Sequence, residues 1–274
     1  MIRPIASFAM LLGCLSCTVA FAAPVPVATW SFNGTLAAEE FGKPALTAID
    51  PLGQSGFLAD TVFGVSRTVY RFAGTQSPPE QAGLSVSMDG LLPAGNKYSV
   101  EMVFQFEASQ STWKNIFGVS NRTSDNAFYV EPGNKLQVWT AGDGPTNWTF
   151  GQYHHVTLTN DGTDHATAYL DGVFQFDLTT TTMNFSAYAA ANPSRLITFF
   201  ADNLIAGGQG EFSDGRVALI RLYDSELSGA DILTLGNSPL PIPTIPEPET
   251  YAMMLAGLGL LGFAARRRKL EQAA

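Results

Sequence analysis

Gln152-Tyr153-His154-His155-Val156-Thr157-Leu158-Thr159, then Asp161-Gly162, then Ala168-Tyr169-Leu170-Asp171-Gly172, is the stretch that decides the fold. Apolar and polar residues alternate along it, and Asp-Gly pairs punctuate it. This predicts strands over 154–160, 165–170 and 173–178. Asp171-Gly172 joins the last two and suits a type I′ two-residue turn. Across the Asp161–Asp164 turn, Asn160 is expected to pair with His165. Upstream, residues 98–107 alternate too. Met102, Phe104 and Phe106 share one face, and Glu101, Gln105 and Glu107 share the other. One polar face predicts an antiparallel sheet covered on one side, with these acids in water.

Further strand signals lie at 27–32, 68–72, 84–88, 115–119, 127–131, 135–140, 196–201 and 216–223. Pro132-Gly133-Asn134 suits a hairpin turn. One helix is predicted near residue 228: Ser228 is a good N-cap, Asp231 sits three residues on, Ile232, Leu233 and Leu235 are apolar, and Gly236 ends it. A dozen short strands and one helix predict an all-β, two-sheet antiparallel jelly-roll sandwich with one short C-terminal helix. Trp30, Trp113 and Trp139 lie in or beside strands and are assigned to the core.

The chain has 274 residues, 15 Lys+Arg against 24 Asp+Glu, and a net charge of −9. With 14% charged residues, 26 Gly and 16 Pro, it is no coiled coil. At 46% hydrophobic it can bury a core. An acidic surface leaves no nucleic-acid partner to expect. The charge is uneven. Arg3 and the run Arg266-Arg267-Arg268-Lys269 lie at the ends, as do Glu247, Glu249 and Glu271. Residues 24–236 therefore hold 10 basic and 21 acidic residues, a balance of −11.

Residues 1–22 read as a signal peptide. Arg3 begins it, 5–19 is apolar, and Ala20-Phe21-Ala22 offers the small residues that signal peptidase reads. The alternatives are a membrane anchor and lipid attachment at Cys14. Cleavage before Ala23 removes Cys14 and Cys17, the only cysteines. The exported domain, 23–236, must then fold without disulfides. Residues 237–249 carry five prolines and form a semi-rigid linker. Next comes an apolar, uncharged stretch over 251–265, about 22 Å long as a helix. A single transmembrane helix of that kind is short for a hydrocarbon core of ~30 Å. The basic run after it leaves the main domain outside. Gly257-Leu258-Gly259-Leu260-Leu261-Gly262 matches G-x-G-x-x-G inside this stretch, but no strand precedes it, and the nucleotide reading fails.

Pro246-Glu247-Pro248, the apolar stretch and Arg266-Arg267-Arg268-Lys269 together resemble a PEP-CTERM sorting signal, here 250–269 with a tail at 270–274. The resemblance implies an exosortase partner that cuts at the PEP motif. It implies a precursor anchored in the inner membrane of a Gram-negative bacterium, later placed at the cell surface or in the extracellular matrix. The quoted 152–172 stretch is similar to the central signature of laminin-G-like, concanavalin A-like domains. So is Gly215-Arg216-Val217-Ala218-Leu219-Ile220-Arg221-Leu222-Tyr223-Asp224 to their last strand, and Ala28-Thr29-Trp30-Ser31-Phe32-Asn33-Gly34 to their opening. That fold hosts lectins, glycosidases, adhesion modules and spacers.

The glucanases of that fold carry E-x-D-x-E on one strand. Here the matching face reads Glu101, Val103, Gln105, Glu107, so the central acid is missing and no catalytic residue is expected. Glu211-Phe212-Ser213-Asp214 has the wrong spacing. His154 and His155 are adjacent in a strand and point to opposite faces, so they cannot share a metal with His165. Calcium is the one cofactor the resemblance suggests, with Asp161, Asp164, Asp202 and Asn203 as oxygen donors. Stabilisation of turns explains the same residues equally well. For extracellular polysaccharide, the candidate residues are Asp143, Asn147 and Trp148, in a Gly- and Pro-containing loop that could present the Trp ring. The alternative is that this ring packs over the sandwich edge.

Overall fold

The computed structural model describes residues 24–74, 80–107, 112–139, 141–205, 211 and 214–237. The signal peptide with Ala20 and Ala22, most of the linker, and the sorting signal with Pro246, Glu247, Pro248 and 266–269 lie outside the described residues. Among the described residues, no helix is long and apolar enough to cross a membrane.

In chain order the strands are β1 (Ala28–Trp30), β2 (Thr47–Ile49), β3 (Gly56–Val62), β4 (Val65–Phe72), β5 (Gly83–Ser87), β6 (Lys97–Phe106) and β7 (Lys114–Gly118). Then come β8 (Phe128–Val130), β9 (Leu136–Val138), β10 (His154–Asp161), β11 (His165–Leu170), β12 (Val173–Thr179), β13 (Leu196–Phe199) and β14 (Gly215–Tyr223), closed by helix α1 (Gly229–Asn237). They form two antiparallel sheets. One runs β12-β11-β10-β6-β14-β4-β3, with β1 also on β14; the other runs β2-β5-β13-β7-β8-β9. This is the expected jelly-roll sandwich.

The inner faces supply the core. Met102, Phe104 and Phe106 of β6 point inward, against Phe117, Phe128 and Phe199 of the second sheet. Phe72 and Phe200 stack with centroids 3.9 Å apart. The packing leaves no room for a Cβ at Gly83, which would lie 2.2 Å from the Phe199 carbonyl oxygen.

The turns form as their residues dictate. Asp171 (φ 51°) and Gly172 (φ 77°) make the type I′ turn between β11 and β12. Ser228 and Asp231 cap α1 reciprocally: Asp231 N–H donates to Ser228 Oγ (3.2 Å), and Ser228 N–H donates to Asp231 Oδ2 (3.0 Å). The β10–β11 pairing sits one residue away from expectation, with Asn160 opposite Ala166.

Two readings need correction. First, β2 and β3 carried too little alternation to be predicted. Second, the polar face of β6 is not in water: Glu101 is 1% and Gln105 6% exposed. A second apolar layer covers the outside of the eight-stranded sheet. It comprises Val62, Val69, Val103 and Leu219, then Tyr223, Leu227 and Ile232, the last of which α1 lays down. Beneath it Glu101 accepts from Tyr223 Oη (2.6 Å) and Arg221 Nη1 (3.3 Å), and pairs with His155 Nε2 (2.9 Å). Burial pushes the Glu101 carboxyl up, but the bond to His155, the Arg221 charge and the Tyr223 hydroxyl hold it below the usual carboxylate range.

Candidate functional site

The outer face of the six-stranded sheet carries the aromatic rings and acids that the core does not use. A bulge between Asn115 and Phe117 turns Asn115 to pair with Tyr129, which pairs in turn with Gln137. Paired residues share a face, so Asn115, Tyr129 and Gln137 form one row across β7, β8 and β9. Leu136 and Val138 point into the core. Period 2 therefore puts Trp139 outside with Gln137. Trp139 meets Trp113 edge to face (4.9 Å, 84°), and Trp113 meets Tyr129 the same way (5.5 Å, 79°). Trp139 is 37% exposed. The expectation that Trp113 and Trp139 lie in the core is thus corrected: Trp113 is half-buried, and Trp139 offers its ring to solvent.

Tyr129 links this platform to a group of acids. Its hydroxyl donates to the Asp125 backbone oxygen (2.8 Å). Carboxylate oxygens of Asp125, Asp202 and Glu211 lie within 4.8 Å of one another. Asp125 comes from the β7–β8 loop, Asp202 follows β13, and Glu211 precedes β14. Two backbone bonds fix these loops, Asn115 N–H to Glu211 O (3.0 Å) and Leu204 N–H to Arg122 O (2.9 Å). Asn203 Nδ2 donates to Asp125 Oδ1 (2.7 Å) and Asp202 Oδ1 (2.9 Å).

Asp202 is 1% exposed. Among the described residues no donor reaches its Oδ2, apart from a proton on Glu211. Burial, and then the charges of Asp202 and Asp125, push the Glu211 carboxyl up to about 8. Burial likewise raises Asp202. Arg122 Nε donates to the Asp202 backbone oxygen and brings one positive charge near the group, yet Asp202 and Glu211 are still pushed up, so the three acids keep a proton or take a cation.

Of the four calcium donors expected, only Asp202 joins this group. Asp161 turns its oxygens to Thr163 N–H (2.6 Å) and His165 N–H (3.2 Å), and so stabilises its own turn. Asp164 accepts from Asn184 Nδ2. Asn203 directs its amide N–H groups to the acids, and its Oδ1 accepts from Ile205 N–H (3.0 Å), so it bridges carboxylates and supplies no ligand oxygen. Asp125 and Glu211 were missed.

The predicted sugar loop also needs correction. Trp148 is 3% exposed, against Phe104 (5.0 Å) and the His154 imidazole (4.3 Å). The loop folds back so tightly on β12 that a Cβ at Gly142 would lie 2.7 Å from Leu178 Cδ1, and Trp148 plugs the sandwich edge. Asn147 stays exposed beside the buried Trp148. Asp143, however, is exposed and accepts from Gln137 Nε2 (2.7 Å), so it borders the Trp139 platform. The histidines stay apart: His154 Nδ1 pairs with Asp171 Oδ2 (2.7 Å), and His165 lies near Asp177 (3.4 Å).

With this geometry in view, the sequence matches the concanavalin A-like lectin/glucanases superfamily over residues 79–233 and the PEP-CTERM protein-sorting motif over 244–269. No curated protein matches it. Domain 4 of the extracellular GH43 arabinanase AbnA of Geobacillus stearothermophilus, solved with arabinotriose, is similar in fold (TM-score 0.51, 16% identity). The match covers 77% of this chain and 98% of that one. The binding domain of botulinum neurotoxin DC, solved with rat synaptotagmin II, is similar at TM-score 0.52 and 13% identity, over 77% of this chain and 51% of that one. Trypanosoma rangeli sialidase is similar at TM-score 0.52 and 14% identity, over 78% of this chain but 33% of its own. At these identities the likeness is one of fold.

Proposed function

We infer that this chain, which belongs to the concanavalin A-like lectin/glucanases superfamily, is an exported surface or matrix protein that binds polysaccharide on the outer face of its six-stranded sheet. The observation that carries the reading is the Trp139 ring, 37% exposed and braced by Trp113, with Gln137 and Asp143 beside it. An aromatic face takes the apolar face of a sugar, and neighbouring amide and carboxylate groups take its hydroxyls. The arabinanase domain with arabinotriose supports this fold as a sugar-binding frame.

The PEP-CTERM motif implies processing by an exosortase. In this reading the enzyme cuts at Pro246-Glu247-Pro248 and frees the domain from a membrane-held precursor. Signal peptidase acts first, after Ala22. The destination is the cell surface or matrix of a Gram-negative bacterium.

The acids suit a calcium ion. All the donors are hard oxygens, and the buried Asp202 Oδ2 has only the Glu211 proton to meet. Asp125, Asp202 and Glu211 would hold the ion. It would supply the positive charge that lets all three ionise, and would tie the loops after β7 and β13 together. Catalysis is not part of this reading. The carboxylates converge within 4.8 Å with Asp202 buried, whereas glycosidases hold theirs about 5–10 Å apart across an open cleft.

The test is retention on a panel of polysaccharides, with the parent chain beside Trp139→Ala. At least a tenfold loss in Trp139→Ala is expected, about 1.4 kcal/mol. No binding by the parent, or equal binding by both, overturns the reading. For sorting, deleting the exosortase leaves a longer, tail-bearing chain, and unchanged processing in that strain refutes it.

A further inference from the structure

The folded domain ends in α1, and the last turn of that helix lies on the β11–β12 turn. A Cβ on Gly236 would stand 3.2 Å from His155 Nδ1 and 3.7 Å from Gly172 N, and one on Gly172 would stand 3.5 Å from Leu233 Cδ1. Around this contact the fold leaves an apolar patch open. Leu233 is 53% exposed, Val173 50% and Phe174 50%. The Phe174 ring meets Tyr169 edge to face (5.8 Å, 79°), and Tyr169 is half-buried against Tyr223, Leu227 and Ile232. Single exposed apolar residues need no explanation, but these adjoin one another across a helix and a hairpin.

Charge narrows what can cover the patch. Asp171 lies in the turn, Asp231 lies on α1, and the charges of Asp177 and Glu226 reach the Tyr169 hydroxyl. No Lys or Arg occurs over 161–180 or 224–246. Arg221, beneath the layer that α1 lays down, is paired with Glu101 (3.3 Å). An anionic lipid surface, or a second copy of a domain carrying −11, would meet like charge here. The patch therefore favours an apolar, uncharged occupant.

Such a segment follows α1 directly. Ser238-Pro239-Leu240-Pro241-Ile242-Pro243-Thr244-Ile245-Pro246 carries no charge, and 239–243 holds only Pro, Leu and Ile. A proline at every second position holds a chain extended before it binds, so little freedom is lost on docking. Extended Pro-rich segments are taken by surfaces lined with aromatic rings, and Phe174 with Tyr169 offers one. Reach fits as well. At about 3.1 Å per residue, Leu240 and Ile242 come about 9 and 16 Å from Asn237, itself about one helical turn from Leu233. A tether that short sets an effective concentration on the order of millimolar.

We propose that residues 239–243 dock back on Val173, Phe174 and Leu233, so that the chain covers its own patch and holds Pro246-Glu247-Pro248 against the domain. Where an exosortase cuts at that motif, 239–243 stays with the domain and the cover outlasts processing. Docking itself does not need the cut.

The test is hydroxyl-radical footprinting of the full chain in lipid nanodiscs. Phe174 is read against Phe63, which is 55% exposed at the β3–β4 turn. Uncovered, the two rings would oxidise alike. In the parent, Phe174 should oxidise at least threefold more slowly than Phe63. In the double variant Leu240→Asp with Ile242→Asp, its rate should rise at least threefold while Phe63 holds. Reciprocally, Phe174→Asp should let a proline-specific endoprotease cut 239–246 at least tenfold faster, and Phe57→Asp should not. The double variant changes no residue of the folded domain, so its result stands whatever Phe174→Asp does to the fold. If Phe174 is protected equally in the parent and the double variant, lipid or a second copy covers the patch and the proposal fails. It fails too if Phe174 oxidises like Phe63 in the parent, or if Phe174→Asp leaves the cutting unchanged.

Discussion

Replacing Glu211 by glutamine separates a carboxylate that merely suffers its neighbours from one that holds a cation. The Glu211 carboxyl is pushed from 4.5 up to about 8, by burial first and then by Asp202 and Asp125. The folded chain therefore keeps a proton that the unfolded chain has lost between these two values. Its contribution to stability is full below pH 4.5 and is lost as pH rises through 8. The full shift would correspond to roughly 5 kcal/mol. Glu211 is only partly buried, and solvent screening brings the expected loss down to about 1–2 kcal/mol.

Glu211→Gln keeps the shape and carries no charge. Without calcium at pH 8 it should be more stable than the parent by that 1–2 kcal/mol, or about 2–8 °C in Tm for a domain of this size. At pH 5 the two should melt together. Calcium at a hundredfold excess over its Kd should add about 2.7 kcal/mol to the parent. The variant, short of one charged ligand, should gain much less, so the ion inverts the order of the two proteins. Differential scanning calorimetry at both pH values, with calcium and with chelator, reads all of this. If Glu211→Gln melts below the parent in chelator at pH 8, or calcium does not move the parent, the cluster is not a cation site.

Trp148→Ala should cost about 3–5 kcal/mol in a urea melt, because it empties a space beside Phe104 and His154. Trp139→Ala should leave the melt nearly unchanged. Glu101→Ala strands His155, Arg221 and Tyr223 around an empty place and should cost about 3–5 kcal/mol. Because the Glu101 carboxyl is held low, its contribution is present above the usual carboxylate range and fades as pH falls below it, so this variant should also flatten the acid limb of stability against pH. Gly83→Ala forces a methyl against the Phe199 carbonyl oxygen and should cost about 1–3 kcal/mol or more, read as a lowered Tm.

What could be read from the chain beforehand was what neighbours in sequence decide. The Asp171-Gly172 turn, the Ser228–Asp231 cap and the inward run of Met102, Phe104 and Phe106 each need only local backbone preference or strand parity. Parity also contained Trp139: with Leu136 and Val138 inward, it had to share the outer face with Gln137. Counting it as core because it sat beside a strand ignored that. Parity says which side a residue takes, never what covers that side. Glu101 was placed on the correct face, and what meets it there, His155 of β10 with Arg221 and Tyr223 of β14, comes from more than fifty residues later.

The acids fail to show in sequence for a deeper reason. Asp125 and Asp202 stand on opposite sides of the β10–β12 hairpins, and only the order β13-β7-β8 brings the two loops to one end of the sheet. No spacing rule reaches across such a crossover. A motif search favours sites built along one strand or one loop, and so it pointed to Asp161 with Asp164 and to Asp143 with Trp148. β3 was hidden for a local reason: its turn at Phe63-Gly64 joins sequence neighbours, but Gly56-Phe57-Leu58-Ala59-Asp60-Thr61-Val62 does not alternate apolar with polar residues. Its residues are half-buried on one face and exposed on the other, with Phe57 and Ala59 on the exposed side.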